Sequence, residues 1–207
     1  MTLKLLTYSQ DNLIDSLEYL ELLYNEEQNR SVYNVIRDIK EDNYQGWISI
    51  LFDDTELVSC AALEKSEKYT GDQTSLRFCR YYKLKSKRKI QYNFYNYLEE
   101  YVTIAKENNC KIIYFTVFNP KVYKDILRVK SNKIYEKYKK NFAITDFKLR
   151  NDILFKINDG CVQQIFEYKT DDNFKWNPDS EYIIPKSLYT DKDIEDLYNA
   201  SVDNRLV

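Results

Sequence analysis

The sequence predicts a mixed α/β fold of the α+β kind: a central, mostly antiparallel sheet flanked by helices, followed by a C-terminal extension. Three observations predict it. Segments with helical spacing of apolar residues are interleaved with strand-like ones. Two of the strand-like segments are joined by a tight Asp53-Asp54 turn, a hairpin signature. The chain has 207 residues, enough for one sizeable core.

Met1 to Tyr8 alternates weakly and reads as a first strand. Asp11 or Asn12 is placed to cap a helix with Leu13, Leu17, Leu20 and Tyr24 on one face. A shorter helix starts at Ser31 and turns Val32, Val35, Ile36 and Ile39 inward. From Gly46 the period becomes strand-like, giving Trp47 to Phe52 and Glu56 to Glu64. A looser segment, Lys65 to Gln73, leads to a third long strand from Ser75 to Leu84. Ile90, Phe94, Tyr97, Leu98, Tyr101, Val102 and Ala105 form the cleanest helical stripe, ending at Asn108-Asn109. Lys111 to Phe118 is nearly all apolar, as in a strand covered on both faces. Helices over Lys121 to Lys130 and Asn132 to Lys140 follow, then strands near Phe142 to Leu149, Asp152 to Ile157 and Cys161 to Tyr168. Lys169 to Val207 is acidic, with one weak helical pattern at Asp191 to Tyr198. The reading divides into a domain over 1–160 and a C-terminal strand and acidic extension over 161–207.

Composition excludes whole classes of chemistry. The chain has no histidine and only three glycines, so Ser-His-Asp and Cys-His machines, imidazole zinc sites and glycine-rich phosphate cradles are ruled out. Four cysteines lie far apart with no C-x-x-C pair, and no charged-then-apolar leader is visible, so a reduced cytoplasmic setting is expected. The Asp191–Asp196 run lacks the glycine and distal glutamate of a calcium loop, and no metal site is expected. No stretch is long and apolar enough to span a membrane. The net charge of −2 gives no general attraction to nucleic acid, yet charge is segregated. Arg77 to Lys89 holds seven cations and no acid, while Asp11 to Glu27 holds six acids and no base. Eighteen asparagines and a lysine excess of 23 to 8 over arginine suggest an AT-rich coding sequence of the kind phages and some bacteria share.

The order strand, two helices, hairpin, strand, helix, strand, helix, two strands resembles the GNAT superfamily of N-acetyltransferases over roughly residues 1–157. Leu98, Ala105, Asn109, Ile113, Phe115 and Val117 match the family's helix-turn-strand pattern, with Asn109 in place of the usual glycine. Asn119 stands where the family often has an asparagine leaving that strand. Asn132-Lys133-Ile134-Tyr135-Glu136-Lys137-Tyr138 with Phe142 resembles the family's asparagine, tyrosine and glycine-phenylalanine ending, Asn141 replacing the glycine.

The resemblance implies acetyl-coenzyme A held between the strands Ser75–Leu84 and Lys111–Phe118, with direct attack on the thioester by an amine substrate. It places the diphosphate at the turn Arg88-Lys89-Ile90-Gln91-Tyr92-Asn93-Phe94, which departs from the family in having no glycine. Lys83, Lys85, Lys87, Arg88 and Lys89 crowd that entrance as replacement phosphate ligands. Glu64 is the candidate base, a role that calls for burial to raise its pKa. Tyr135 and Tyr138, with Tyr123, compete as the acid that protonates the leaving thiolate. Two functions follow: an acetyl-CoA-dependent N-acyltransferase, or a scaffold of the same fold that has lost its coenzyme site and serves in a larger, for example phage-encoded, assembly in the host cytoplasm or virion. Nucleic acid is a minor option despite the tyrosines among the cations. The extension is expected to dock a protein partner or a second copy, giving a homo- or hetero-oligomer.

Overall fold

A computed structural model describes residues 3–72, 74–87, 95–131, 146–157 and 161–203. The chain is mixed α/β, and its sheet is mostly antiparallel and flanked by helices. Its residues gather in two compact units, Met1–Lys65 with Arg77–Tyr101, and Ser66–Leu76 with Val102–Val207.

In the first unit the strands run in the order β1 (Leu3–Tyr8), β2 (Gly46–Asp53), β3 (Glu56–Lys65) and β4 (Ser75–Lys83, of which Arg77 onward belongs here). β1 pairs antiparallel with β2, and β2 with β3 through a turn in which Asp54 has φ +53°. Helix α1 (Leu17–Glu27) and helix α2 (Arg30–Lys40) cover one face. Asn29 caps α2 by accepting from the amides of Ser31 and Val32. The expected stripe Val32, Val35, Ile36 and Ile39 is buried against Leu20, Leu23, Ile48, Ile50 and Phe52. Removing each such aliphatic side chain from water contributes roughly 1.5–3 kcal/mol. On the other face Tyr97 and Tyr101, from helix α4 (Tyr95–Glu107), are fully buried, and the hydroxyls of Tyr97 and Ser59 lie 2.7 Å apart.

The helix expected from Asp11 or Asn12 begins instead with a 3-10 turn, Leu13–Ser16. Asn12 uses its side chain locally, its Oδ1 accepting from the Ser9 amide at 2.7 Å, the competition typical of asparagine in turns. Asn109 takes the left-handed stop after α4, φ +53°, as the sequence predicts.

In the second unit β8 (Val162–Lys169) pairs antiparallel with β5 (Ile112–Val117) on one edge, and on its other edge with β6 (Lys148–Leu149) and β7 (Ile153–Lys156). A short strand the sequence does not signal, β9 (Ile183–Pro185), pairs with β7. The segment Lys65–Gln73, read from the sequence as loose, includes one helical turn, α3 (Glu67–Thr70). Helices α5 (Pro120–Ser131) and α6 (Asp191–Asp203) complete the unit. The strand expected near Phe142 is described only at Lys148–Leu149. The helix Asn132–Lys140 and Asn141 lie outside the described residues.

Phe174 and Trp176, beyond β8, are buried with Ile112, Tyr114 and Phe155. The Trp176 Nε1–H donates to Glu167 Oε2 at 2.6 Å, and Arg150 donates to the same oxygen at 3.2 Å. Glu167 is only 6% exposed, so its charge depends on these donors. Trp176→Phe keeps one ring of the indole but loses the other together with the donor, and should cost about 1–3 kcal/mol or more in denaturant unfolding. A midpoint that does not move would mean that Arg150 and Lys169 satisfy the carboxylate without the indole.

Candidate functional site

Chemistry-bearing side chains of the first unit converge where β3 ends and β4 breaks its pleat. Gly46 stands opposite Glu64 in the β2–β3 register. Its φ is +153°, and a Cβ there would collide with the Leu63 carbonyl oxygen. Glycine is therefore required for the strands to close, and their closure holds Glu64 near the strand end, half-buried.

Arg80, inside β4, has φ +51°. A left-handed residue within a strand locally reverses the pleat and re-aims the neighbouring side chains, at about 1–2 kcal/mol for a residue bearing a Cβ. A charge-assisted hydrogen bond offsets that cost: Arg80 Nε–H donates to Glu64 Oε1 at 2.6 Å, with both groups largely shielded from solvent. Burial opposes the guanidinium charge, but Glu64 and Cys79 outweigh it and hold the Arg80 pKa above its usual range.

Two more groups face this pair. Burial first, and Glu64 next, push the Cys79 thiol well above its ordinary pKa, so it stays protonated and is no nucleophile. Tyr44 is 5% exposed, and its hydroxyl has no hydrogen-bond partner. Burial, then Glu64 and Cys79, raise its pKa well above that of a free phenol, so it remains a neutral proton donor. A buried hydroxyl without an acceptor is costly to leave in place, and it lies within the field of the predicted base.

The basic turn follows β4. Lys83 is half-buried, which lowers its ammonium pKa. Lys87 pairs with Glu56, itself largely exposed. The amides of Lys85 and Ser86 donate to the Glu26 carboxylate at 3.1 and 3.5 Å. Arg88 and Lys89 lie outside the described residues, as do Tyr135 and Tyr138.

In the second unit Asn119 caps α5, its Oδ1 accepting from the Lys121 amide at 2.9 Å. Tyr123, one turn into α5, is half-buried, and burial followed by Asp191 raises its pKa. The structure thus joins Glu64 to Arg80, Cys79 and Tyr44, none of which the sequence reading paired with it. The signal available for Tyr44 was its place two residues before Gly46, at the entry to β2. Among the described residues no cluster of three metal-ligating side chains occurs, and no helix is long and apolar enough to cross a membrane.

No family model matches the chain, and no curated protein matches it. Solved structures do. A protein from Desulfovibrio desulfuricans assigned to the GNAT family of acetyltransferases matches with a TM-score of 0.50 at 8% identity, covering 81% of this chain and 99% of its own. One assigned as a phosphinothricin N-acetyltransferase matches with a TM-score of 0.50 at 15% identity, covering 81% and 98%. PaiA N-acetyltransferase from Thermoplasma acidophilum, solved in complex with coenzyme A, matches with a TM-score of 0.41 at 14% identity, covering 82% and 99%. The first two show that this chain has the GNAT acetyltransferase fold.

Since no group among the described residues satisfies the Tyr44 hydroxyl, Tyr44→Phe should leave unfolding stability unchanged or slightly raised. A loss above about 1 kcal/mol in chemical denaturation would reveal a partner for that hydroxyl. Gly46→Ala should destabilise the first unit by several kcal/mol, because the clash is with backbone. A well-folded Gly46→Ala protein with its thermal midpoint intact would refute that account of strand closure.

Proposed function

We propose that the chain is an N-acyltransferase that takes an acyl group, acetyl in the first instance, from acyl-coenzyme A and passes it to an amine. The observation that carries this reading is the GNAT fold shared over 81% of the chain with two acetyltransferase structures. When bound, the coenzyme supplies the activated thioester. This chain's residues fit its diphosphate by charge. Lys83, Lys85 and Lys87 stand at the end of β4, followed in sequence by Arg88 and Lys89. Side-chain cations here do the work that close-set amides do elsewhere. The Glu56 carboxylate that holds Lys87 is exposed, and such surface pairs are worth about 0–1 kcal/mol, so a polyanion displaces it at little cost.

Glu64 accepts the proton that the incoming ammonium must lose, and Arg80 orients the carboxylate for that transfer. Tyr123, Tyr135 and Tyr138 are the competing donors of the proton that the departing sulfur takes up. A second reading rests on one observation: Arg88 to Phe94 contains no glycine, so backbone approach to a diphosphate is obstructed. On that reading the fold is a scaffold for other proteins, and a docking role for the C-terminal segment belongs to it.

Titration calorimetry with acetyl-coenzyme A separates the two. The enzyme reading expects binding near the micromolar range, weakened about tenfold in Arg88→Ala and Lys89→Ala. Absence of heat at millimolar coenzyme sinks the enzyme and leaves the scaffold. If binding is found, Glu64→Gln should lower kcat for thiol release by about 100-fold or more, with the fold checked by circular dichroism. An unchanged kcat would remove Glu64 from the mechanism.

A further inference from the structure

β1 is the terminal strand of its sheet, and β2 is its only strand partner among the described residues. Its outer edge therefore presents backbone N–H and C=O groups that no other strand takes up. The strand is six residues long, contains no proline and runs in unbroken register against β2, so it lacks the devices that usually blunt an edge. Leu3 within it is 42% exposed. The 3-10 turn Leu13–Ser16 packs against β1 and β2, and its Ile14 is 70% exposed.

Charge is distributed unevenly along this edge. Side chains of a strand alternate between faces, so Lys4, Leu6 and Tyr8 share one. It is the face on which α1 lies, because Leu6 and Tyr8 pack against the cluster that holds Leu20 and Leu23. Lys4, near the start of the strand, is exposed and makes no ion pair among the described residues. At the other end Asp15 and Glu18 are exposed, and neither is paired with a cation among those residues. Both act on Tyr8: burial first, then the charges of Asp15 and Glu18, raises the pKa of its phenol. Lys4 and Tyr8 stand about 13 Å apart along the strand, so cation and carboxylates mark opposite ends of one edge.

We propose that β1 pairs antiparallel with β1 of a second copy of this chain, about a two-fold axis at Leu6, joining the two sheets edge to edge. In that register Leu6 faces its own counterpart, Leu5 faces Thr7 and Lys4 faces Tyr8. Directly opposed residues of antiparallel strands lie about 4.5–5.5 Å apart on the same face. Each Lys4 ammonium thus comes beside the Asp15 and Glu18 of the other copy, and the two-fold makes the contact twice. An edge lysine ordinarily deters a foreign strand. Here it selects one partner in one register, since moving the axis to Leu5 sets Lys4 opposite Leu6 and away from the acids. Leu3 and Ile14, exposed beside the edge, lose contact with water as the second copy arrives. The pairing is independent of whether the chain transfers acyl groups.

The test uses the full chain. Sedimentation velocity over about 1–100 µM should show a reversible monomer–dimer equilibrium, and hydrogen exchange of the β1 amides should slow as the concentration rises. Lys4→Glu places like charges together and should weaken the dimer at least about tenfold. Adding Asp15→Lys and Glu18→Lys to that variant should restore it, a recovery that a merely unstable protein would not show. The exchange measurement needs no substitution and decides the matter if Lys4→Glu does not fold. A chain monomeric throughout, β1 amides whose exchange ignores concentration, a dimer indifferent to Lys4→Glu, or a triple variant that fails to re-form it would each overturn the proposal.

Discussion

The ion pair between Arg80 and Glu64 is the constraint around which the candidate site is organised. A strand in the middle of a sheet resists a left-handed residue, and arginine brings a Cβ and a charge to a place that favours neither. The pair makes the conformation tolerable because each charge is half-buried and each is the other's partner. The rest of the cluster follows from it. Once the pleat reverses at Arg80, Cys79 comes under the field of Glu64 and stays a thiol. Glu64 can occupy that position only because Gly46, opposite it, has no side chain to hold the strands apart. Three residues distant in sequence therefore form one unit, and none has an independent reason to be as it is.

The segregated charges of the sequence partly find each other inside the first unit. Glu26, from the acidic stretch, accepts from the amides of the basic turn, and Glu56 pairs with Lys87. Glu21 pairs with Lys40 instead. These contacts are exposed at one partner or both, which keeps them weak and salt-sensitive. In that turn Lys87 is paired through its ammonium, while Lys85 and Ser86 hold Glu26 through their backbone amides. This arrangement is what a resting surface needs in order not to repel itself. Charge alone therefore separates a ligand site from a neutralised surface less well than the Glu64 cluster does, because half-buried groups exchange partners with water less readily than exposed ones.

The fold was legible wherever periodicity was long. The α2 stripe, the β2–β3 hairpin, the apolar run of β5 and the left-handed Asn109 all stand as the residues indicate. Periodicity failed where elements are short or irregular. The helical turn Glu67–Thr70 and the three-residue strand β9 are held by partners remote in sequence. Phe174 and Trp176 lie in an acidic, aperiodic stretch, and the indole takes its place from Tyr114, against which it packs edge-on, and from the Glu167 carboxylate, both remote from any local pattern. Glu64 lies near the end of its strand as its sequence position indicates, but its surroundings were not legible. Its pairing with Arg80, sixteen residues away, depends on strand register and a broken pleat, and spacing rules assume that the pleat is regular. Tyr44 is one of twenty tyrosines, and what distinguishes it is a hydroxyl without a partner, a property that no pattern of residue types encodes.

Identities of 8 and 15% with structures of the same fold fit this division. A fold is maintained by which positions are apolar and by where the turns fall, and many sequences satisfy both. Catalysis is maintained by particular atoms. Here the apolar pattern of the fold is kept, while the sequence Arg88 to Phe94 carries arginine, lysine, tyrosine and phenylalanine and no glycine. In the Glu64 cluster the groups are buried and short-ranged, and salt has little purchase on them. The shielded Arg80–Glu64 pair and the exposed Lys87–Glu56 pair thus rest on different physics within one unit of the chain, and ionic strength is the variable that divides them.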